Sequence, residues 1–308
     1  MAETIAWIGL GNMGRGMVKN MVQKGPQKTP LHVYNRTTSR ATGLVATLES
    51  GKATVASSVE EAVKQASIIF ICVGADPALL SIINHIISVL PKDSGKIVVD
   101  CTTVHPDTTK KEDELITSHG AAFVACPVFG APAAADAGML VSVMTGPPET
   151  VNKVKPYVQG VTSRMIIDMS GQEISRASLL KLLGNSFILN MVESLGEALV
   201  VAEKSGLGTD VYEEWVNAFF PGPVSMYCKR MLTGDYYNRD EPLFAVDLAR
   251  KDLGHAMKIA EKSDMHMRSV EVTDGYLKDV KAQSGEKGDA AAVYGAIRKD
   301  SGMKFENA

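Results

Sequence analysis

Short apolar runs alternate with amphipathic stretches through the first half of the chain, at residues 6–8, 31–34, 67–73, 96–100, 122–125 and 140–145. Each run is too short for a helix and is built from buried-strand residue types, so the pattern predicts parallel strands in a doubly wound α/β sheet. Between two of them, Ser57 or Ser58 followed by Glu60 and Glu61 marks a capped helix start, where a crossover helix fits. Beyond Glu173 the strand signal stops. Residues 174–205 are apolar around most of a helical circumference, which predicts a long helix buried nearly all round. Further helices are expected at about 210–219, 244–262, 267–282 and 290–299. The chain reads as two domains: a Rossmann doubly wound parallel sheet over residues 1–172, followed by an all-helical domain over 173–308.

The first apolar run leads directly into Gly9-Leu10-Gly11-Asn12-Met13-Gly14. Gly9 lets the chain turn sharply out of the strand, Gly11 removes a Cβ that would hold the backbone away from a pyrophosphate, and Gly14 lets the next helix approach the sheet. Met17, Val18, Met21 and Val22 then give that helix one apolar face. Strand, glycine turn and helix together predict a dinucleotide site. At the tip of the second strand, where an NAD site places an acid on the ribose hydroxyls, this chain has Asn35-Arg36-Thr37 and, shortly after, Arg40. Two guanidiniums without a carboxylate suit a 2′-phosphate, so NADPH is the expected cofactor.

A net charge of −3 with no basic block argues against nucleic acid as a partner, and no run is long and apolar enough to span a bilayer. The start Met-Ala-Glu-Thr is unlike an export signal, so a reducing cytoplasm is the expected setting. Cys72, Cys101, Cys126 and Cys228 lack metal-type spacing and the six His are dispersed, so no metal is expected. Hydride chemistry must then rest on side chains. His105, before Pro106, reads as a loop residue rather than a catalytic imidazole. Tyr227, Tyr236 and Tyr237 lie in a Gly- and Asp-rich stretch and read as packing groups or part of a lid.

Within the long helix, Lys181 is the only charged residue between Arg176 and Glu193. A lysine stem can snorkel from an apolar face, which leaves a structural role open. Ser178, Lys181 and Asn185, however, fall at i, i+3 and i+7 and form a polar stripe on an apolar helix. Such a stripe is costly unless it meets a ligand or a satisfied network. Lys181 is thus the candidate proton donor to a forming alkoxide, with Asn185 orienting substrate or lysine.

Five segments carry a resemblance over nearly the whole chain: Gly9 to Gly14, Asp100-Cys101-Thr102-Thr103, Cys126-Pro127-Val128-Phe129-Gly130, Lys181-Leu182-Leu183-Gly184-Asn185 and Lys251-Asp252-Leu253. In order and spacing they resemble the β-hydroxyacid dehydrogenase family, which includes 3-hydroxyisobutyrate dehydrogenases and glyoxylate/succinic semialdehyde reductases. The resemblance implies that Lys181 is the general acid/base, supported by Asn185. It also implies cofactor contacts from Lys251, from Thr103 beside the nicotinamide, and from the Cys72 and Val73 backbone. Asp247 and Asp252, on the helix expected around Lys251, are candidates to orient it, although a solvated face would look the same.

The chain departs from the family pattern where the substrate carboxylate is cradled. A serine is replaced by Phe129, leaving the Gly130 and Ala131 amides as the remaining anion donors. Ser175-Arg176-Ala177, Gly184 and Pro77 also replace the family's usual residues. Phe129, Gly130, Ala131, Thr103, Lys181 and Asn185 are the expected substrate-side residues. The expectation is an NADPH-dependent reductase of a small aldehyde or keto acid, acting as a homodimer or homotetramer through its helical domain. Imine reduction on the same scaffold, or cofactor binding without turnover, are the alternatives.

Overall fold

Strands of the first half are apolar because both of their faces are covered. Residues 3–307 are described by the computed structural model. In chain order the elements begin β1 (Ile5–Ile8), α1 (Asn12–Lys24), β2 (Leu31–Tyr34), α2 (Thr38–Ala46), β3 (Ala53–Val55), α3 (Val59–Lys64) and β4 (Ile68–Ile71). There follow α4 (Asp76–Val89), β5 (Ile97–Asp100), α5 (Pro106–Ser118), β6 (Ala122–Ala125), β7 (Val128–Phe129) and α6 (Pro132–Ala137). Next come β8 (Leu140–Met144), α7 (Pro148–Val154) and β9 (Ser163–Asp168). The second half is helical: α8 (Arg176–Ser205), α9 (Thr209–Phe219), α10 (Pro223–Leu232), α11 (Asp235–Asn238), α12 (Val246–Glu261), α13 (Arg268–Ser284) and α14 (Val293–Asp300).

The main sheet runs β3-β2-β1-β4-β5-β6 with every pair parallel, the strand order of a Rossmann fold. Alternation divides each strand between two buried layers. Ile5 and Trp7 of β1 enter one with Val33, Phe70 and Val99; Ala6 and Ile8 enter the other with Ile69, Ile71 and Val98. Trp7 and Phe70 stack at 5.5 Å across β1 and β4. The α3 start is capped as its sequence predicts: Ser58 Oγ accepts from the Glu61 N–H, and Glu61 reaches back to the Ser57 N–H.

One strand expectation is corrected. Residues 140–144 do not add a parallel strand to the main sheet; they form β8 at the centre of a three-stranded sheet, β7-β8-β9, and only Thr145 just beyond it bridges Ala125 of β6, antiparallel. The reason is local. β6 runs through Cys126-Pro127 straight into β7, and after the short α6 the chain returns as β8 antiparallel to β7, so β8 runs opposite to the direction a further parallel strand beside β6 needs.

The chain divides into two compact units, Met1–Lys181 and Leu182–Ala308, so α8 starts in the first and continues through the second. Within the second, Leu189, Val192, Leu195 and Leu199 of α8 share a core with Leu253, Leu277, Tyr294 and Ile297. The stretch around Tyr227, Tyr236 and Tyr237 forms α10 and α11, with the tyrosines packed against the helical core. Tyr236 is buried there, and its hydroxyl donates to the Phe305 carbonyl.

Candidate active site

The glycine turn is held by backbone and side-chain groups of its own unit. The Gly9 N–H donates to the Tyr34 carbonyl at 2.9 Å, the Trp7 indole donates to the Gly9 carbonyl at 2.8 Å, and the Leu10 N–H donates to Asn35 Oδ1 at 2.9 Å. Gly9 sits at φ +100°, and a Cβ there would lie 2.2 Å from the Cys72 carbonyl oxygen. A Cβ at Gly14 would lie 2.3 Å from the Gly9 oxygen. These two glycines are demanded by the protein itself.

Gly11 is different. Its φ is −69°, ordinary for any residue, and an added Cβ would meet nothing within 4 Å. A glycine that the protein's own packing does not require leaves open space in front of α1, whose first turn holds no acidic residue. Asn12 and Met13 lie half-buried in that turn. Pyrophosphate fits this cradle: N–H groups at the start of a 13-residue helix, close backbone approach and no carboxylate to repel it. Arg36, Thr37 and Arg40 are exposed, at the β2 tip and the start of α2, while Asn35 is spent largely on shaping the turn, its Nδ2 donating to the Thr37 carbonyl.

The sheet's carboxyl edge continues through β4, β5 and β6. Registers pair Ile71 with Asp100 and Asp100 with Ala125, so Cys72, Cys101 and Cys126 leave their strands side by side. Burial and the Asp100 charge push the Cys72 thiol up to about 12, so it remains neutral. Asp100 Oδ1 accepts the Thr102 N–H, and Thr102 Oγ1 accepts the Val73 N–H. Thr102, which the sequence reading passed over, thereby fixes the Val73 backbone. Thr103 follows, half-buried, between β5 and α5. His105 lies in the loop before α5, as its sequence context predicts, and caps that helix, its Nδ1 accepting the Asp107 N–H at 3.1 Å. Behind this edge Glu112 of α5 is fully buried, with no hydrogen bond to either carboxyl oxygen among the described residues. Burial first, then the charges of Asp100 and Asp76, raise its pKa to about 10.

Lys181 is 7% exposed. Its Nζ stands over the Phe129 ring, 4.5 Å from the centroid, and its charge is felt at Cys72. The first unit thus brings Phe129 and Lys181 together, and it also holds the turn that Gly9 makes against Cys72. Ser178 is not part of an open stripe, because its hydroxyl shares a 2.6 Å hydrogen bond with Thr109. Gly130, at φ +139°, and Ala131, the N-cap of α6, follow Phe129 directly.

In the second unit Asn185 Nδ2 donates to Asp252 Oδ2 at 2.7 Å, and Lys251 Nζ lies 3.2 Å from Asp252 Oδ1. Asp252, only 2% exposed, therefore ties Asn185 of α8 to Lys251 of α12. Asp247 pairs instead with Lys281 at 2.6 Å.

Residues 4–171 match the model of the NAD binding domain of 6-phosphogluconate dehydrogenase, and residues 176–297 match that of the NAD-binding region of NADP-dependent 3-hydroxyisobutyrate dehydrogenase. An NADH-dependent oxidoreductase (ucdB) of Aspergillus ustus is 33% identical over 295 residues, covering 95% of this chain and 98% of its own. Glyoxylate/succinic semialdehyde reductase 1 of Arabidopsis thaliana is 27% identical, covering 96% and 98%. A solved structure described as Psf3 in complex with NADP+ and 2-OPP shares the fold with a TM-score of 0.83 at 21% identity, covering 96% of this chain and all of that one. Matched along both halves, the chain belongs to the β-hydroxyacid dehydrogenase family and is an NAD(P)-dependent oxidoreductase.

Proposed function

We propose that the protein reduces a small aldehyde or keto acid, of the succinic semialdehyde or glyoxylate type, with NADPH as cofactor and Lys181 as the proton donor. The observation that carries this reading is a buried lysine, 7% exposed, whose ammonium stands over the Phe129 ring in the same unit as the glycine turn. When bound, the cofactor supplies hydride. Lys181 Nζ gives its proton to the oxygen that becomes an alkoxide and takes it back in the oxidative direction. Gly9, Leu10, Gly11, Asn12, Met13 and Gly14 would cradle the pyrophosphate, with Cys72, Val73 and Thr103 along the nicotinamide. Phe129, Gly130 and Ala131 would face the substrate. Asn185 is assigned a substrate- or lysine-orienting role and Lys251 a cofactor contact.

NADPH preference is supported by Arg36 and Arg40, exposed in a stretch, residues 35–40, whose sequence holds no acid, because forked guanidinium donors match a 2′-phosphate. The Aspergillus relative is named NADH-dependent, so both cofactors belong in the test. Self-association as a homodimer or homotetramer is part of the proposal: Phe187, Trp215, Phe219 and Phe220 of the helical unit are exposed large apolar groups. Net charge gives nucleic acid no foothold, and no helix among the described residues is long and apolar enough to cross a membrane. Four free thiols suit a cytoplasmic setting.

Imine reduction is the second reading, favoured by the apolar ring of Phe129 beside Lys181. One assay decides: oxidation of NADPH and NADH followed with succinic semialdehyde, glyoxylate, butanal and a cyclic imine. Reduction of an aldehyde or keto acid, faster with NADPH, is expected. Turnover of the imine alone installs the second reading, and no turnover at all points to a binding protein.

A further inference from the structure

We propose that Phe129 is a positioning residue that holds the Lys181 ammonium against its ring, and that it selects carbonyl substrates carrying no carboxylate on the reacting carbon. This deepens the reading of Lys181 as proton donor and rests on it.

The ring is fixed by backbone. Phe129 pairs antiparallel with Val141 across β7 and β8, and it packs against the buried layer that includes Val143, Phe123 and Ala177. The next residue, Gly130, takes φ +139°, where a Cβ would lie 2.6 Å from Leu140 Cδ2, so the chain turns there in one way only. Lys181 emerges from the adjoining helix one turn after the fully buried Ala177. With its Nζ 4.5 Å from the centroid, the ammonium meets the negative face of the π system. That contact favours the charged form of the lysine, which is the form able to donate a proton. At 7% exposure the attraction is little screened by water.

The same ring sets a condition on the substrate. The oxygen to be protonated must approach Nζ, which stands over the Phe129 ring, so a substituent on the carbonyl carbon that turns toward β7 meets an apolar surface. An alkyl or aryl substituent gains apolar contact there. A carboxylate bonded directly to that carbon loses water against an apolar surface that returns no hydrogen bond. This narrows the proposed substrate class: glyoxylate and 2-keto acids are its disfavoured members. Aldehydes whose acid group is absent, or separated from the carbonyl by methylenes, are of the favoured kind.

Phe129→Leu, Phe129→Tyr and Phe129→Ser test both halves. Lys181 is titrated by ¹⁵N NMR in the protein without cofactor, and kcat/KM is measured against pH for butanal, succinic semialdehyde and glyoxylate. Loss of the ring in Phe129→Leu should lower the Lys181 titration midpoint and the alkaline limb of the rate profile by about half a pH unit or more. Phe129→Tyr, which keeps the π face, should restore both. The parent should prefer butanal to glyoxylate by about tenfold or more, and Phe129→Ser should narrow that ratio, because it adds a hydroxyl donor. An unmoved midpoint in Phe129→Leu, or no rescue by Phe129→Tyr, overturns the positioning role. A butanal to glyoxylate ratio that ignores residue 129 overturns the selection. If the parent turns over none of the three carbonyls, the selection falls together with the reading it rests on, and the NMR titration alone still decides the positioning role.

Discussion

Two stretches of the sheet's carboxyl edge, the centre after β1 and the end after β5 and β6, are built in different ways. At the glycine turn the work is done by backbone: Gly9 and Gly14 are forced by their own neighbours, and Gly11 keeps space open. At the β5–β6 end it is done by buried polar side chains. Lys181 lies against Phe129, Ser178 against Thr109, and Glu112 sits without a hydrogen-bond partner among the described residues. A backbone cradle adds little strain once folded and serves a common ligand. Buried charge costs stability, and it is kept where chemistry or selection needs it.

The sharpest test of that division is Lys181→Met. Turnover should fall about 10²-fold or more while NADPH still binds with near-parent affinity, as read by fluorescence titration. Turnover at the parent rate would dissolve the contrast. On the backbone side, Gly11→Ala should raise the NADPH KM about tenfold or more and leave the melting temperature within about 3 °C. Gly9→Ala should instead lose about 2 kcal/mol of stability or more, through strain at φ +100° and collision with the Cys72 carbonyl. If both variants behave alike, Gly11 answers to the fold and not to a ligand. Replacing Arg36 and Arg40 together by Ala should weaken NADPH by roughly fivefold to tenfold with little effect on NADH. Equal losses for both cofactors would assign the pair to structure.

The smallest expected effect lies in Glu112. Its folded pKa of about 10 stands above the ordinary 4.5, so the folded chain keeps a proton that the unfolded chain releases above pH 4.5. The stability associated with that proton is whole below pH 4.5 and declines as pH rises toward 10. Glu112→Gln should therefore melt later than the parent at pH 8, by on the order of 1 kcal/mol, with the gap closing toward pH 5. A gap that does not vary with pH would mean that the carboxyl carries no such penalty.

The same contrast governs what could be read from sequence. Backbone requirements are local, so Gly9, Gly11 and Gly14, the run Leu31–Tyr34 and the Ser58 cap were all legible. Lys181 was legible because a lone charge on an apolar helix is conspicuous. Its ring partner was not: Phe129 stood out only as a substitution, and nothing in the spacing of the two residues predicts that they touch. Asp252 was foreseen beside Lys251, while its bond to Asn185, 67 positions away, depends on how α8 and α12 pack. Thr102, Thr109 and Glu112 were missed for that reason too. β7 and β9 escaped because two residues carry no periodicity and β9 alternates poorly, with only Ser163 fully buried.

The flush ends of β4, β5 and β6 carry one further consequence. Cys101 and Cys126 are buried in the first unit, and Cys228 is buried in the second. The hydrogen bond with Cys126 and then burial raise the Cys101 thiol, and burial pushes Cys228 up to about 11, so neither offers a thiolate to an alkylating reagent while its surroundings stay closed. Labelling must wait for an opening event, and its rate counts such events. The chain thus contains natural reporters for each half: mass spectrometry of alkylated peptides would measure, without any engineered probe, how often the sheet edge opens and how often the helical unit does, and whether ligand quiets one, the other or both.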